Sequence, residues 1–269
     1  MKYALLLILA SLTLLTTLLF NPETIKKEVQ KKMGNNSAKI FLKPEIPVLC
    51  YHRIRNSFAD DGQNMKIYSV SPDHFAQQMK ALHDNGFHTV LPDQLYQYLV
   101  NDGNLPSKPI LITFDDTREE QYRIGASEMN KYGFKGVFFI MTVSINRPGY
   151  MTKAQIKNLS DNGHSIGAHS WDHHPVTKYK GKDWDIQLLN PKKQLESITG
   201  KPVNYFAYPS GEWNSQAIAK LKNNGYQLAF ILSTKRNSDE PLFTVRRLIV
   251  AGSMSAEGML KAIQYSFKK

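Results

Sequence analysis

Four short stretches of the chain bring together residue types that can do chemistry. In Thr113-Phe114-Asp115-Asp116, two adjacent carboxylates follow an apolar run. Neighbouring side chains on an extended backbone point in different directions, so one carboxylate can ligate a metal while the other faces a substrate. The competing role is a loop that N-caps a helix starting near Glu119. In His169-Ser170-Trp171-Asp172-His173-His174, His169 and His173 stand four apart, which puts both imidazoles on one face if a helical turn begins there. Two such histidines and a carboxylate from elsewhere make a three-ligand metal site with a position open for water. A histidine-rich surface loop is the alternative, and His174 ranks second as the further ligand because its offset points it away. Tyr208-Pro209-Ser210-Gly211 reads as a tight turn whose backbone N–H groups can face a developing oxyanion. His52, in Cys50-Tyr51-His52-Arg53, is a single histidine, a type more often structural than catalytic.

Each stretch follows a short apolar run, and those runs alternate with helical periodicities. Strands are expected at Ile46–Tyr51, Thr89–Leu91, Ile110–Phe114, Gly136–Met141, Ser165–Ala168, Tyr205–Tyr208, Leu228–Leu232 and Val245–Val250. Between them, Ser71-Pro72 opens a helix with serine at the N-cap and proline at N1, its apolar face formed by Phe75, Met79 and Leu82. Further helices are expected at Asp93–Val100, Glu119–Tyr132, Thr152–Asn162, Ile186–Ile198 (interrupted near Pro191), Ser215–Asn223 and Ala256–Tyr265. Strands that are apolar throughout and separated by helices predict an α/β fold, a distorted (β/α) barrel of about seven parallel strands. Working groups then belong at the C-terminal strand ends, where all four stretches fall.

The composition of the 269 residues suits one sizeable α/β domain, with Cys50 as the only cysteine, which excludes an internal disulfide and a cysteine-based zinc knuckle. The net charge of +11 would draw anionic partners, but the basic residues are scattered and no nucleic-acid motif is present, so no nucleic-acid partner is expected. Residues 1–20 carry an apolar run from Ala4 to Phe20, read as a signal peptide or, with no small-residue cleavage site after it, an uncleaved membrane anchor. Residues 21–43 read as a linker with a breaker at Gly34-Asn35-Asn36-Ser37, and residues 44–269 as the catalytic domain. Export is expected from the chemistry, with the domain facing the extracytoplasmic side or released as a secreted or periplasmic protein. The lysines at 26, 27, 31 and 32 argue the other way by the positive-inside rule.

Taken together, the motifs resemble the polysaccharide deacetylase family with the NodB homology domain, carbohydrate esterase family 4. Thr113 to Asp116 matches its first motif and His169 to His173 its second, and the resemblance runs from Pro44 to Ile249. It implies the NodB homology fold, Asp115 as catalytic base, and Asp116, His169 and His173 as metal ligands. The turn at Tyr208 to Gly211 matches the third motif, but Ala207 stands where the family places the arginine that braces the base. The late Leu-x-His motif is also missing, since Leu232 is followed by Ser233-Thr234, and Thr117 replaces a glycine. The early Tyr51-His52-Arg53 resembles the branch related to poly-N-acetylglucosamine deacetylases, in which that histidine supplies the acid, so His52 is assigned this role.

The implied reaction is metal-dependent hydrolysis of N-acetyl groups on an N-acetylglucosamine-containing polysaccharide, releasing acetate. Zinc is the default ion, with cobalt or nickel as alternatives. Tyr208, Pro209, Gly211 and Trp213 are the expected substrate-binding residues; Trp171 stacks on sugar or packs in the core. Peptidoglycan, chitin-like or O-acetylated glycans are alternative substrates, and an inactive glycan-binding scaffold is the non-enzyme alternative.

Overall fold

The computed structural model describes residues 34–232 and 234–267. The apolar segment at 1–20 and most of the expected linker therefore lie outside the described residues. The chain divides into two units, Met1–Lys43 and Pro44–Lys269. In the first, residues 34–42 are helical, so the expected breaker at Gly34 to Ser37 does not stop a helix. The strong helix formers among Ala38-Lys39-Ile40-Phe41-Leu42 outweigh it. No helix among the described residues is long and apolar enough to cross a membrane.

The second unit is built on β1 (Val48–Tyr51), β2 (Arg53–Ile54), α1 (Gln63–Tyr68), β3 (Ser69–Val70), α2 (Pro72–Asp84), β4 (His88–Thr89) and α3 (Pro92–Asn101). β5 (Pro109–Phe114) leads into a wide-wound turn, Gln121–Ala126, that continues as α4 (Ser127–Asn130). Then follow β6 (Val137–Ile140), α5 (Lys153–Asp161), β7 (Ser165–Ala168), a second wide turn Asp185–Leu189 running into α6 (Asn190–Thr199), and β8 (Tyr205–Ala207). α7 (Ser215–Asn223), β9 (Leu228–Phe230), β10 (Leu248–Ile249) and α8 (Ala256–Ser266) complete it.

Seven strands run parallel in the order β10-β1-β5-β6-β7-β8-β9, with β4 paired to β5. The segment before β10 laces the curled sheet back on itself. Val245 bonds to β9 through Ala229 and Ile231, and Leu248 and Ile249 pair with Leu49 and Cys50 of β1. This is the distorted barrel that the apolar strands predict.

Local chemistry explains the element boundaries. The Ser71 hydroxyl accepts from the His74 N–H at 3.1 Å and caps α2, whose buried face is Phe75, Gln78, Met79 and Leu82. Thr152 and Gln155 form a reciprocal capping box on α5. The helix is interrupted near Pro191 as expected: the wide-wound segment Asp185–Leu189 ends just before it, and regular winding resumes with Pro191 in the first turn of α6. Gly167 lets β7 approach its neighbour; a Cβ there would lie 2.5 Å from the Phe139 ring.

Candidate active site

β5 delivers both carboxylates at its C-terminal end. Asp115 is held by its N–H to the Tyr51 carbonyl at 3.0 Å and is almost fully buried, whereas Asp116 turns to φ 75° and Thr117 to φ 63°. A β-branched residue rarely adopts this left-handed backbone, which accounts for a glycine being usual at Thr117. The Thr117 hydroxyl compensates by accepting from the Met141 N–H at 2.7 Å, tying the ends of β5 and β6 together. The buried Gln121 amide donates to the carbonyls of both His52 and Asp115, locking the ends of β1 and β5.

His169 and His173 follow β7 in a loop rather than in the helical turn that their spacing suggested. Ser170 and His173 are both left-handed (φ 64° and 69°), and the Ser170 hydroxyl accepts the His173 N–H at 2.9 Å. The loop still brings the imidazoles together, with ring centroids 4.9 Å apart. Asp116 Oδ1 lies 3.5 Å from His169 Nε2 and 3.7 Å from His173 Nε2. His169 Nδ1 meets the Ala207 carbonyl at 2.8 Å, so this nitrogen carries the proton and Nε2 presents its lone pair to the cluster. His174 stands apart, its N–H on the Asp172 carboxylate.

These three residues could hold a metal: their donor atoms converge within 4.8 Å of one another. Both Asp116 Oδ1 and His169 Nε2 are buried without a hydrogen-bond partner. Leaving two buried polar atoms unsatisfied is costly, and a cation between them removes the cost. Two imidazoles and one carboxylate are also the donor set expected for zinc, cobalt or nickel.

The Asp115 brace comes from a residue that no motif singled out. Arg247, fully buried just before β10, donates from both Nη atoms to the two Asp115 oxygens at 2.7 and 2.8 Å, and from Nε to the Ile231 carbonyl at 3.1 Å. It fills the role left open by Ala207. Burial alone would raise the Asp115 pKa, but the charges of Arg247 and His169 prevail and hold it at about 2. Asp116 is likewise held well below the usual carboxylate range, with His169 overcoming its burial.

His52 lines the same cavity, about 280 Å³ in volume, together with Asp115, Asp116, His169 and His173. Its ring lies 4.5 Å from that of Tyr68, and burial lowers its pKa against the opposing pull of Asp115 and Asp116. Cys50, also buried, places its Sγ 3.9 Å from His52 Nδ1 and 3.7 Å from Asp115 Oδ2.

The turn after β8 is only partly at the site. Tyr208 and Ser210 line the cavity. Pro209 and Gly211 shape the turn, in which a Gly211 Cβ would lie 2.8 Å from Leu232, and Trp213 packs half-buried against the core. The Tyr208 N–H donates to Phe230 at 3.0 Å and the Gly211 N–H to Tyr208 at 2.9 Å, so neither is available to an oxyanion. Trp171 is exposed rather than packed in the core.

A curled parallel sheet with a braced carboxylate and a carboxylate–histidine cluster at its strand ends has the architecture of a barrel hydrolase. More narrowly, residues 102–229 match the model of the polysaccharide deacetylase family, and the comparisons support an enzyme of that kind, a hydrolase grouped with the carbohydrate esterases. Among its relatives, YxkH of Bacillus subtilis, named as a polysaccharide deacetylase, is 29% identical over 237 residues, 87% of this chain and 82% of the relative. The poly-beta-1,6-N-acetyl-D-glucosamine N-deacetylase of Staphylococcus epidermidis is 25% identical over 228 residues, 76% of this chain and 78% of the relative. The fold superposes on the Streptococcus pyogenes deacetylase PplD with a TM-score of 0.75 at 24% identity, covering 82% of this chain and 99% of that one.

Proposed function

We propose that the protein is a metal-dependent enzyme that hydrolyses N-acetyl groups on an N-acetylglucosamine-containing polysaccharide, releasing acetate and leaving a free amine. The observation that carries this reading is the convergence of Asp116, His169 and His173 beside an Asp115 clamped by Arg247. The similarity to the staphylococcal enzyme supports poly-N-acetylglucosamine as the polymer.

When bound by Asp116, His169 and His173, a divalent ion, zinc by default, supplies Lewis-acid polarisation of the acetamido carbonyl and acidifies water. Asp115 accepts the proton of the attacking water. Its depressed pKa keeps it ionised across the working range, and the Arg247 fork fixes the carboxylate's direction. His52, directly after β1 on the strand neighbouring β5, gives a proton to the departing amine. Burial lowers its pKa, and the neighbouring charges of Asp115 and Asp116 oppose this by favouring the protonated ring that the step requires. Export, through the apolar segment at 1–20 acting as signal or anchor, places the enzyme with its polymer.

The test is acetate release from β-1,6- and β-1,4-linked N-acetylglucosamine oligomers after chelation and after return of zinc, cobalt or nickel. Release that depends on metal and is abolished in Asp115→Asn and His169→Ala is expected. Oligomer binding without release under any metal would replace this reading with the glycan-binding one.

A further inference from the structure

Three arginines line or border the catalytic cavity, and they differ in one respect. Arg247 is spent on Asp115, and Arg53 forms an ion pair with Glu120. Arg118 lines the same cavity, yet among the described residues no carboxylate lies within ion-pair distance of it. Its guanidinium lies over the Tyr150 ring, 4.3 Å from the centroid, and its Nε is buried without a hydrogen-bond partner. The backbone beneath is fixed, because Arg118 pairs with Tyr150 in an isolated antiparallel bridge and the Arg118 carbonyl accepts the Gln121 N–H.

A half-buried cation with no counter-charge is an expensive way to fill space. An arginine held over an aromatic ring keeps its planar fork for bidentate recognition of carboxylate or phosphate, and Arg118 lies only two residues beyond Asp116. The chain's net charge of +11 favours approach of an anionic polymer in the same sense. We infer that Arg118 is a specificity-determining residue that reads an anionic substituent, a carboxylate or a phosphate, carried by the glycan close to the N-acetyl group removed. This rests on the deacetylase reading of the same cavity and, within N-acetylglucosamine-containing glycans, selects those that carry an anionic substituent over the neutral polymer.

The experiment compares three oligomers of matched length with the full metal-loaded chain. One alternates N-acetylglucosamine with N-acetylmuramic acid, one is its carboxyl methyl ester, and one is an N-acetylglucosamine oligomer bearing a phosphate monoester. The expected KM is about tenfold to a hundredfold lower for an anionic oligomer than for the ester, in line with a charge-assisted hydrogen-bond pair. Whichever anion has the lower KM identifies the source of the charge. Arg118→Gln should bring the acid-to-ester KM ratio close to one, and Arg118→Lys should restore part of it, with kcat moving less than KM. Equal KM for the acid, the ester and the phosphate-bearing oligomer in the unaltered enzyme overturns the Arg118 assignment and leaves the deacetylase reading standing. Acetate release from none of the three would count against that reading instead. Equilibrium binding of the acid, the ester and the phosphate-bearing oligomer would then decide Arg118, equal affinity overturning it.

Discussion

Arg247 and Asp115 form a buried, doubly hydrogen-bonded ion pair in which each group depends on the other. Removing one partner of such a pair leaves an uncompensated buried charge and costs about 3–5 kcal/mol. Arg247→Met is therefore expected to lower the melting temperature and to move the acidic limb of the pH–rate profile upward, since burial then acts on Asp115 with less opposition. The double variant Asp115→Asn/Arg247→Met should regain much of the stability, by thermal unfolding, but none of the acetate release. Stability regained by the double variant distinguishes loss of the pair from loss of the fold. Thr117 shows the same economy on a smaller scale: its strained backbone is held by its own hydroxyl on Met141.

Strands and helices place these residues, and most of those elements were legible in the sequence. Ser165–Ala168 and Ser215–Asn223 agree with their expected bounds because strong local signals, a glycine stop and a run of helix formers, set them. The motif at the end of β5 and the histidines after β7 were legible from their residue types and the motifs they match. Arg247 was not, because its partner lies 132 residues away in sequence and an isolated arginine beside another arginine announces nothing. Nor did spacing disclose the loop at His169 to His173, since left-handed serine and histidine have no periodic signature. The insertion β2-α1-β3 also went unread, although α1 brings Met65 and Tyr68 to the cavity. That helix rests on one glycine: a Cβ at Gly252 would lie 2.2 Å from the Ser69 carbonyl and 2.3 Å from that of Lys66. Gly252→Ala should displace the end of α1, destabilise the protein by about 1–3 kcal/mol and raise KM, as steady-state kinetics and unfolding would show.

For the whole molecule, acid is the direction of weakness. His164 is buried at the start of β7 and its Nδ1 accepts the Gly136 N–H at 3.0 Å, a bond only an unprotonated nitrogen can take. Burial, with help from Lys135, pushes its pKa down to about 4. The unfolded chain binds this proton below about pH 6.5 while the folded one does not, so stability is lost as pH falls from there toward 4. The loss should amount to roughly 2–3 kcal/mol. Asp115 adds a further loss lower down, as pH falls from its ordinary range toward 2. Melting temperature measured from pH 7 to 4 should fall less steeply for His164→Gln than for the unaltered chain; parallel curves would remove His164 from this account.

The seam where β10 meets β1 joins two arginines with opposite tasks. Arg247 turns inward to the catalytic carboxylate, while its neighbour Arg246 bonds to Glu45 at the start of the folded unit and to the Ser266 carbonyl near its end. The first and last strands are thus adjacent in space although they are farthest apart in sequence. A ring of strands with such a seam has no privileged starting point. A catalytic group can pass from one end of the gene to the other while keeping its place over the substrate, and the early histidine and late arginine of this chain stand on either side of that join.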